Sequence, residues 1–243
     1  MKIITTAIIK GGTGKTATAA ALAQAGVYSG KKVLAIDLDP QANLTISLGA
    51  NPNEPGSVNL FKGTPAADVL QETEQHITVI AAHRDLANEQ TTPGSAWRLQ
   101  QALEPLKRKY DLCIIDTPPT LGELVYNALN ATNGLLIPLE ADTSSLQGLY
   151  QIIEIAQQIK KNNTKLKILG TVLTRYDGRP KINQQLREII AQVGEANGAP
   201  LLMAIRSGVA VKEAAAMQLS LFEYAPKSKP AADYMQLFNT ITK

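Results

Sequence analysis

The chain has 243 residues, of which 44% are hydrophobic, so it can bury the core of one large α/β domain. Its net charge of +3 is divided unevenly: residues 1–150 carry 11 Lys/Arg against 14 Asp/Glu, and residues 151–243 carry 13 against 7. A single cysteine excludes an internal disulfide. The N-terminal apolar run stops at Lys10, which is too early for a signal peptide or a membrane span. We therefore expect one cytoplasmic domain over residues 1–243.

Short apolar, β-branched runs alternate with helical patterns along the chain. We predict strands near residues 3–9, 33–37, 77–81, 112–116, 134–138, 167–174 and 200–204. Helices are predicted near residues 15–29, 41–48, 95–109, 121–131, 144–161 and 181–197. This alternation predicts an α/β fold with a mostly parallel, twisted sheet, helices on both of its faces, and ligands at the carboxyl ends of the strands.

The segment between the first predicted strand and the first predicted helix contains three glycines. Glycines let the backbone curl with its N–H groups turned inward, and the following helix adds its positive end, so the segment predicts a phosphate-binding loop. Lys15 would bring a full charge to the β- and γ-phosphates, and Thr16 a hydroxyl to Mg²⁺. The common pattern G-x-x-x-x-G-K-[ST] fails by one position, because Ile9 stands where its first glycine belongs and a second lysine, Lys10, follows.

Two later apolar strands end in carboxylates at the same predicted edge of the sheet. Asp37 and Asp39 are two residues apart and project to the same side if the strand persists, so that one can hold metal-bound water while the other positions a nucleophile. Asp37 is therefore a metal candidate. Asp116 follows four apolar residues and precedes Thr117-Pro118-Pro119, which suits a carboxylate that binds Mg²⁺ beside a rigid turn.

These motifs together resemble the ParA family of partition ATPases, within the deviant Walker A group of P-loop ATPases that includes MinD. The resemblance covers nearly the whole chain and extends to two later segments, Leu173-Thr174-Arg175-Tyr176-Asp177 and Glu223-Tyr224-Ala225-Pro226-Lys227-Ser228-Lys229. It implies a P-loop NTPase fold, ATP as the substrate and Mg²⁺ as the cofactor.

The resemblance also implies roles for individual residues. Lys10 is similar to the family's signature lysine, which reaches across an ATP-dependent sandwich dimer to the partner's phosphates and neutralises the charge that grows there during hydrolysis. Lys15 would bind the phosphates of its own subunit, and Asp39 would position the attacking water. Thr16 and Asp116 would hold Mg²⁺. The residues expected to contact the nucleotide are Lys10, Gly11, Gly12, Thr13, Gly14, Lys15, Thr16 and Thr174.

The same resemblance implies three partners: a second copy of the chain, nonspecific DNA and a ParB-like protein that stimulates hydrolysis. The basic C-terminal part agrees with a DNA partner, although charge alone also fits a solvated surface. The sequence departs from many chromosomal relatives at Ala210, which stands where they have a second arginine. A nucleoid-associated protein is expected, with DNA-binding candidates Arg175, Arg179, Lys181, Arg187, Arg206 and Lys212.

Other functions remain as alternatives. A MinD-like membrane role would need a basic amphipathic C-terminal helix, whereas Tyr234, Leu237, Phe238 and Ile241 form an apolar stripe with only Lys243 basic, so we expect no membrane partner. An ATPase that positions another cargo, such as a microcompartment, and a metabolic P-loop enzyme would carry the same loop. A GTPase is disfavoured because an arginine replaces the lysine of a guanine-reading T-K-x-D motif after residue 174.

Overall fold

The apolar runs of the sequence assemble into one sheet of eight strands in the computed structural model, which describes residues 1–88 and 95–243. The strands are β1 (Lys2–Thr6), β2 (Val33–Asp37), β3 (Gln71–Glu72), β4 (Thr78–Ile80), β5 (Leu112–Asp116), β6 (Gly134–Leu139), β7 (Lys167–Tyr176) and β8 (Leu201–Arg206). Their order is β3-β4-β2-β5-β1-β6-β7-β8, and every described pair is parallel except the edge pair β3–β4. The mostly parallel sheet predicted from the sequence is thus confirmed.

Helices cover both faces of this sheet. They are α1 (Lys15–Tyr28), α2 (Asn43–Ser47), α3 (Ser57–Phe61), α4 (Arg98–Leu103), α5 (Glu123–Ala131), α6 (Thr143–Lys160), α7 (Lys181–Ala196), α8 (Ala210–Ala216), α9 (Leu221–Tyr224) and α10 (Lys229–Thr242). Buried residues of α1, α2, α8, α9 and α10 share one apolar cluster, and those of α3 to α7 form two clusters with the other face. The central strands are buried on both sides, which explains why they are continuous apolar runs.

The apolar stripe of α10 packs against the body of the protein, as the sequence predicts. Tyr234, Leu237, Phe238 and Ile241 are all buried and belong to the same cluster as α1. In the described ranges, no helix combines the length and the apolar character needed to cross a membrane.

Two predicted elements differ from the structure, and two short helices were not predicted. The strand predicted over 3–9 ends at Thr6, because the chain leaves the sheet to form the glycine loop. The helix predicted over 95–109 is divided into α4 and flanking 3-10 turns, one of which contains Pro105, a residue that cannot donate the hydrogen bond needed inside an α-helix. The short helices α8 and α9 were not predicted, since one or two turns are too short to show a helical period.

The fold brings the carboxyl ends of the central strands together at one edge. Thr6 of β1 is in register with Asp116 of β5, and Asp116 is in register with Asp37 of β2. The glycine loop that follows β1 therefore lies beside the carboxylates that end β2 and β5.

Candidate nucleotide-binding site

The glycine loop has a backbone that only glycine adopts readily. Gly12 and Gly14 have positive φ angles of 76° and 79°. A Cβ atom on Gly14 would also lie 3.0 Å from the Thr174 hydroxyl oxygen. No side chain in the described part of the chain caps the N-terminus of α1, so its first N–H groups are free to bind an anion.

Two polar groups of the loop indicate that a ligand belongs there. The Thr13 hydroxyl is buried and has no hydrogen-bond partner among the described residues, an arrangement that is costly unless a ligand completes it. Lys15 is 6% exposed, and its Nζ donates to the Lys10 carbonyl at 2.8 Å. Burial lowers the pKa of Lys15, and the nearby Asp116 and Asp39 oppose that shift. Phosphate oxygens would satisfy both the hydroxyl and the buried ammonium group.

Thr16 and Asp116 form a pair of hard oxygen ligands next to the loop. The Thr16 hydroxyl donates to Asp116 Oδ2 at 2.6 Å, and Thr6 donates to Oδ1 at 3.2 Å. Burial, followed by the charge of Asp37, raises the pKa of Asp116 to about 7. No group of three or more His, Cys, Asp or Glu that could hold a metal occurs in residues 1–88 and 95–243. A Mg²⁺ ion bound by Thr16 and Asp116 would therefore take its other ligands from water and phosphate, which is usual for Mg²⁺.

Asp37 and Asp39 lie in different environments, because β2 ends at Asp37, at the predicted bound. The strand does not persist to Asp39, so the condition for both carboxylates to project to the same side of one strand is not met. Asp37 is fully buried and accepts hydrogen bonds from Asp39 N at 3.0 Å and from both the N and the hydroxyl of Thr45 at 2.8 Å. Burial raises its pKa to about 6. Both Asp37 oxygens thus anchor α2 and the loop before it. Asp39 Oδ1 accepts from Gln41 N at 3.0 Å, and Asp39 Oδ2 accepts no hydrogen bond from the described residues.

Lys10 does not line the cleft in which Lys15 lies. Its Nζ contacts both oxygens of Asp142 at 2.5 and 2.6 Å and the Ser145 hydroxyl at 3.1 Å. Asp142 caps the N-terminus of α6 by accepting from Ser145 N at 2.8 Å. Burial raises the pKa of Asp142, but hydrogen bonds, first from Lys10, outweigh it and lower that pKa.

The end of β7 contacts the outer side of the loop. Thr174 donates to the Thr13 carbonyl at 2.8 Å, and Arg175 donates to the Gly12 carbonyl and pairs with Glu140. Asp177, which follows, binds Arg179 through both carboxylate oxygens, and these bonds lower its pKa to about 2.

A cleft of about 600 Å³ joins these groups. The glycine loop, Asp39 and Arg175 line one end, and the other end lies between α1, α2 and α8, where small and apolar side chains dominate. A concave site with a few convergent polar groups and an apolar part is typical of a nucleotide site. Its remaining lining residues include Ala17, Ala20, Ala21, Ile46, Val211 and Lys212.

The structure does not gather the six predicted DNA-binding residues into one patch of free cations. Arg175 and Lys212 line the cleft. Arg206 binds Asp233 at 2.6 and 2.9 Å, and Arg179 binds Asp177. Arg187 and Lys181 lie on α7, where the Arg187 guanidinium stacks 5.8 Å from the centre of the Tyr176 ring.

Sequence reasoning missed the partners of Lys10 and Arg175. Asp142 and Ser145 carry one available signal, since an Asp before a predicted helix is typical of an N-cap, but the cap does not reveal a lysine 132 residues away. Glu140 carries no sequence signal that separates it from an ordinary surface carboxylate.

Comparisons with known proteins agree with this geometry. A family model described as an AAA domain matches residues 1–168. The chromosome-partitioning ATPase Soj of Thermus thermophilus is 33% identical over 94% of this chain and 90% of its own length. The ATP complex of a McdA variant from Cyanothece superposes with a TM-score of 0.87 at 29% identity, covering 100% of this chain and 98% of that one. Cobyrinic acid a,c-diamide synthase from Mycobacterium smegmatis, solved with an ATP analogue and magnesium, gives a TM-score of 0.85 at 30% identity, covering 98% and 93%.

Proposed function

The chain belongs to the ParA family of partition ATPases, within the MinD/ParA group of P-loop ATPases, and we propose that it forms an ATP-dependent sandwich dimer that binds nonspecific DNA and hydrolyses ATP when a ParB-like protein stimulates it. One observation supports the proposed dimer. The loop contains two lysines, yet only Lys15 lines the cleft of its own subunit, while Lys10 points to the α6 N-terminus. A second lysine placed this way is suited to phosphates bound by another subunit.

Nucleotide binding rests on the glycine loop and the start of α1. The free N–H groups of this segment, the Thr13 hydroxyl and the Lys15 ammonium would hold the phosphates. Thr16 and Asp116 would hold Mg²⁺, which neutralises phosphate charge when bound. The base would lie in the apolar part of the cleft.

Hydrolysis needs a group that orients water toward the γ-phosphate. Asp39 suits this task, because Gln41 N fixes one of its oxygens and the other accepts no hydrogen bond from the described residues. Asp37 is poorly suited, because both of its oxygens are occupied by backbone and hydroxyl donors. Lys10, supplied by the partner subunit, would add positive charge at the phosphates in the transition state.

Membership of the family supports both proposed partners, DNA and a ParB-like protein, and the charge of the C-terminal part supports DNA. Residues 151–243 have 13 Lys/Arg against 7 Asp/Glu, and nonspecific DNA binding depends on such positive charge. We propose that residues 1–243 form a single ATPase domain in each subunit. We also propose that the dimer is cytoplasmic and associates with the nucleoid.

ATP is favoured over GTP by the state of Asp177. In a guanine-reading motif this carboxylate would accept hydrogen bonds from the base, but here Arg179 binds both of its oxygens. Its position in the loop after β7 is therefore no evidence for guanine recognition.

Turnover measurements test the proposal against a metabolic P-loop enzyme. We expect ATP hydrolysis that exceeds GTP hydrolysis, is lost in Lys15→Ala and rises when random-sequence duplex and a ParB-like protein are added together. Hydrolysis that is unchanged by DNA and the ParB-like protein, and that needs a small-molecule acceptor, would contradict the partition function. It would not contradict the ATPase activity.

A further inference from the structure

Two consecutive residues at the end of β7 hold two consecutive carbonyl groups of the glycine loop. Thr174 donates its hydroxyl to the Thr13 carbonyl at 2.8 Å, and Arg175 donates its guanidinium to the Gly12 carbonyl. Both contacts join residues more than 160 positions apart, so they depend on the fold and on no local turn.

These contacts fix the direction of the loop's N–H groups. In a trans peptide the C=O of one residue and the N–H of the next point in opposite directions, and the described peptides are all trans. A Gly12 carbonyl turned toward β7 therefore turns the Thr13 N–H away from it. In the same way, the Thr13 carbonyl bound by Thr174 turns the Gly14 N–H away.

The two N–H groups have no acceptor of their own. Thr13 N and Gly14 N donate to no group among the described residues. The Thr13 hydroxyl beside them is buried and likewise unpartnered. Free donors that converge in a left-handed loop make an anion-binding concavity.

Arg175 is held in place at some cost. Its φ angle is 50°, a left-handed conformation that is unfavourable for a residue with a Cβ atom and that tends to occur where function requires it. Its guanidinium also pairs with Glu140, at the end of β6. A planar guanidinium can bind a carboxylate and a carbonyl together, whereas a lysine ammonium lacks this fixed fork.

We propose that Arg175 and Thr174 are positioning residues that orient the Thr13 and Gly14 N–H groups toward the nucleotide phosphates before the nucleotide binds. This inference rests on the proposed nucleotide site. A loop that is ordered in advance loses less conformational entropy on binding, so the two residues raise affinity without being required to touch the phosphates. This role assigns Arg175 to the ATP site.

Matched variants separate positioning from charge. Arg175→Met removes the fork and the charge, and Arg175→Lys removes only the fork. Thr174→Val removes the hydroxyl that Thr174→Ser keeps. Arg179→Met is the control, because Arg179 lies four residues beyond Arg175, outside β7, and its guanidinium binds no side chain other than Asp177 among the described residues.

The first measurement is backbone ¹⁵N relaxation of the nucleotide-free protein at Thr13 and Gly14. We expect order parameters of about 0.85 in the wild type and in Arg179→Met, and below about 0.6 in Arg175→Met. The second is calorimetric titration with ADP and Mg²⁺, where Kd should rise about tenfold in Arg175→Met, Arg175→Lys and Thr174→Val, while Thr174→Ser stays near wild type. Thermal melting of each apo variant checks that the fold is retained.

Equal order parameters in Arg175→Met and wild type would overturn the proposal. Wild-type affinity for ADP in Arg175→Lys would also overturn it, because the loss of affinity in Arg175→Met would then be due to charge. Since relaxation is measured without nucleotide, its result stands apart from the proposed dimer and DNA binding. Failure of those functions would leave the loop measurement unchanged.

Discussion

Lys10 and Lys15 differ in burial and in the groups that they contact. Lys15 begins α1 and is buried in the cleft. Lys10 precedes the glycines, and its side chain, 22% exposed, binds Asp142. In the proposed dimer Lys10 exchanges Asp142 for the partner's phosphates. A partly exposed ion pair contributes only about 1 kcal/mol or less, so this exchange is accessible.

Asp39→Ala should slow hydrolysis while preserving ATP binding. Losing the water-positioning carboxylate should lower the single-turnover rate by about 10²- to 10⁴-fold, and the contacts of Lys15, Thr16 and Asp116 remain. Rapid-quench kinetics and an ATP titration measure the two effects. Asp177→Ala, a change at a partly exposed carboxylate that pairs with Arg179, is the control. An unchanged rate in Asp39→Ala would transfer the role to Asp37 or to the turn at residues 117–120.

The residues of the phosphate loop were predictable because they are adjacent in the sequence and form a local motif. Lys15 and Thr16 follow the glycines directly, and Asp116 ends an apolar strand. The pairing of Lys10 with Asp142 was not predictable, because it depends on β1 lying beside β6 in the sheet. The same holds for Arg175, which we predict from the sequence as a DNA-binding residue and which lines the cleft in the structure.

Elements were predictable where their sequence period was long or their burial was complete. The strands β2 and β5 form with the predicted bounds, since both are continuous apolar runs. The edge strand β3 has only two residues, and α9 has four, so neither carries a measurable period.

Phe238→Ala tests whether α10 belongs to the core. The side chain is 2% exposed and packs in the cluster that contains α1, so its truncation should lower the free energy of unfolding by about 3–5 kcal/mol. Urea denaturation measures this loss. The matched control Thr240→Ala, at an exposed position of the same helix, should change stability by less than about 0.5 kcal/mol. A small loss in Phe238→Ala together with binding to anionic vesicles would instead support a MinD-like membrane helix.

At the scale of the molecule, the C-terminal charge is less available than the sequence suggests. Arg175, Arg179 and Arg206 are all engaged by carboxylates within the chain. Lys181 is exposed, and no ion pair engages it within residues 1–88 and 95–243. Any DNA surface must therefore use the remaining cations or exchange these ion pairs for phosphates.

The Asp39→Ala dimer should bind random-sequence DNA with strong salt dependence. Each phosphate contact releases a counterion, so log affinity should fall with log salt by about 0.9 per contact, and Lys181→Gln should reduce that slope by about one per subunit. Fluorescence anisotropy at several salt concentrations gives the slope, and Lys62→Gln, outside the basic C-terminal part, is the control. Binding that is absent or insensitive to salt would mean that this part of the chain serves another partner.

The central claim is that Lys10 acts across an ATP-dependent dimer, and sedimentation velocity tests it most directly. With ATP and Mg²⁺, the Asp39→Ala protein should sediment as a dimer, and the Lys10→Ala/Asp39→Ala protein should bind ATP with unchanged affinity yet remain a monomer. Lys15→Ala should lose ATP binding altogether. A Lys10→Ala/Asp39→Ala protein that dimerises as fully as Asp39→Ala would contradict the account.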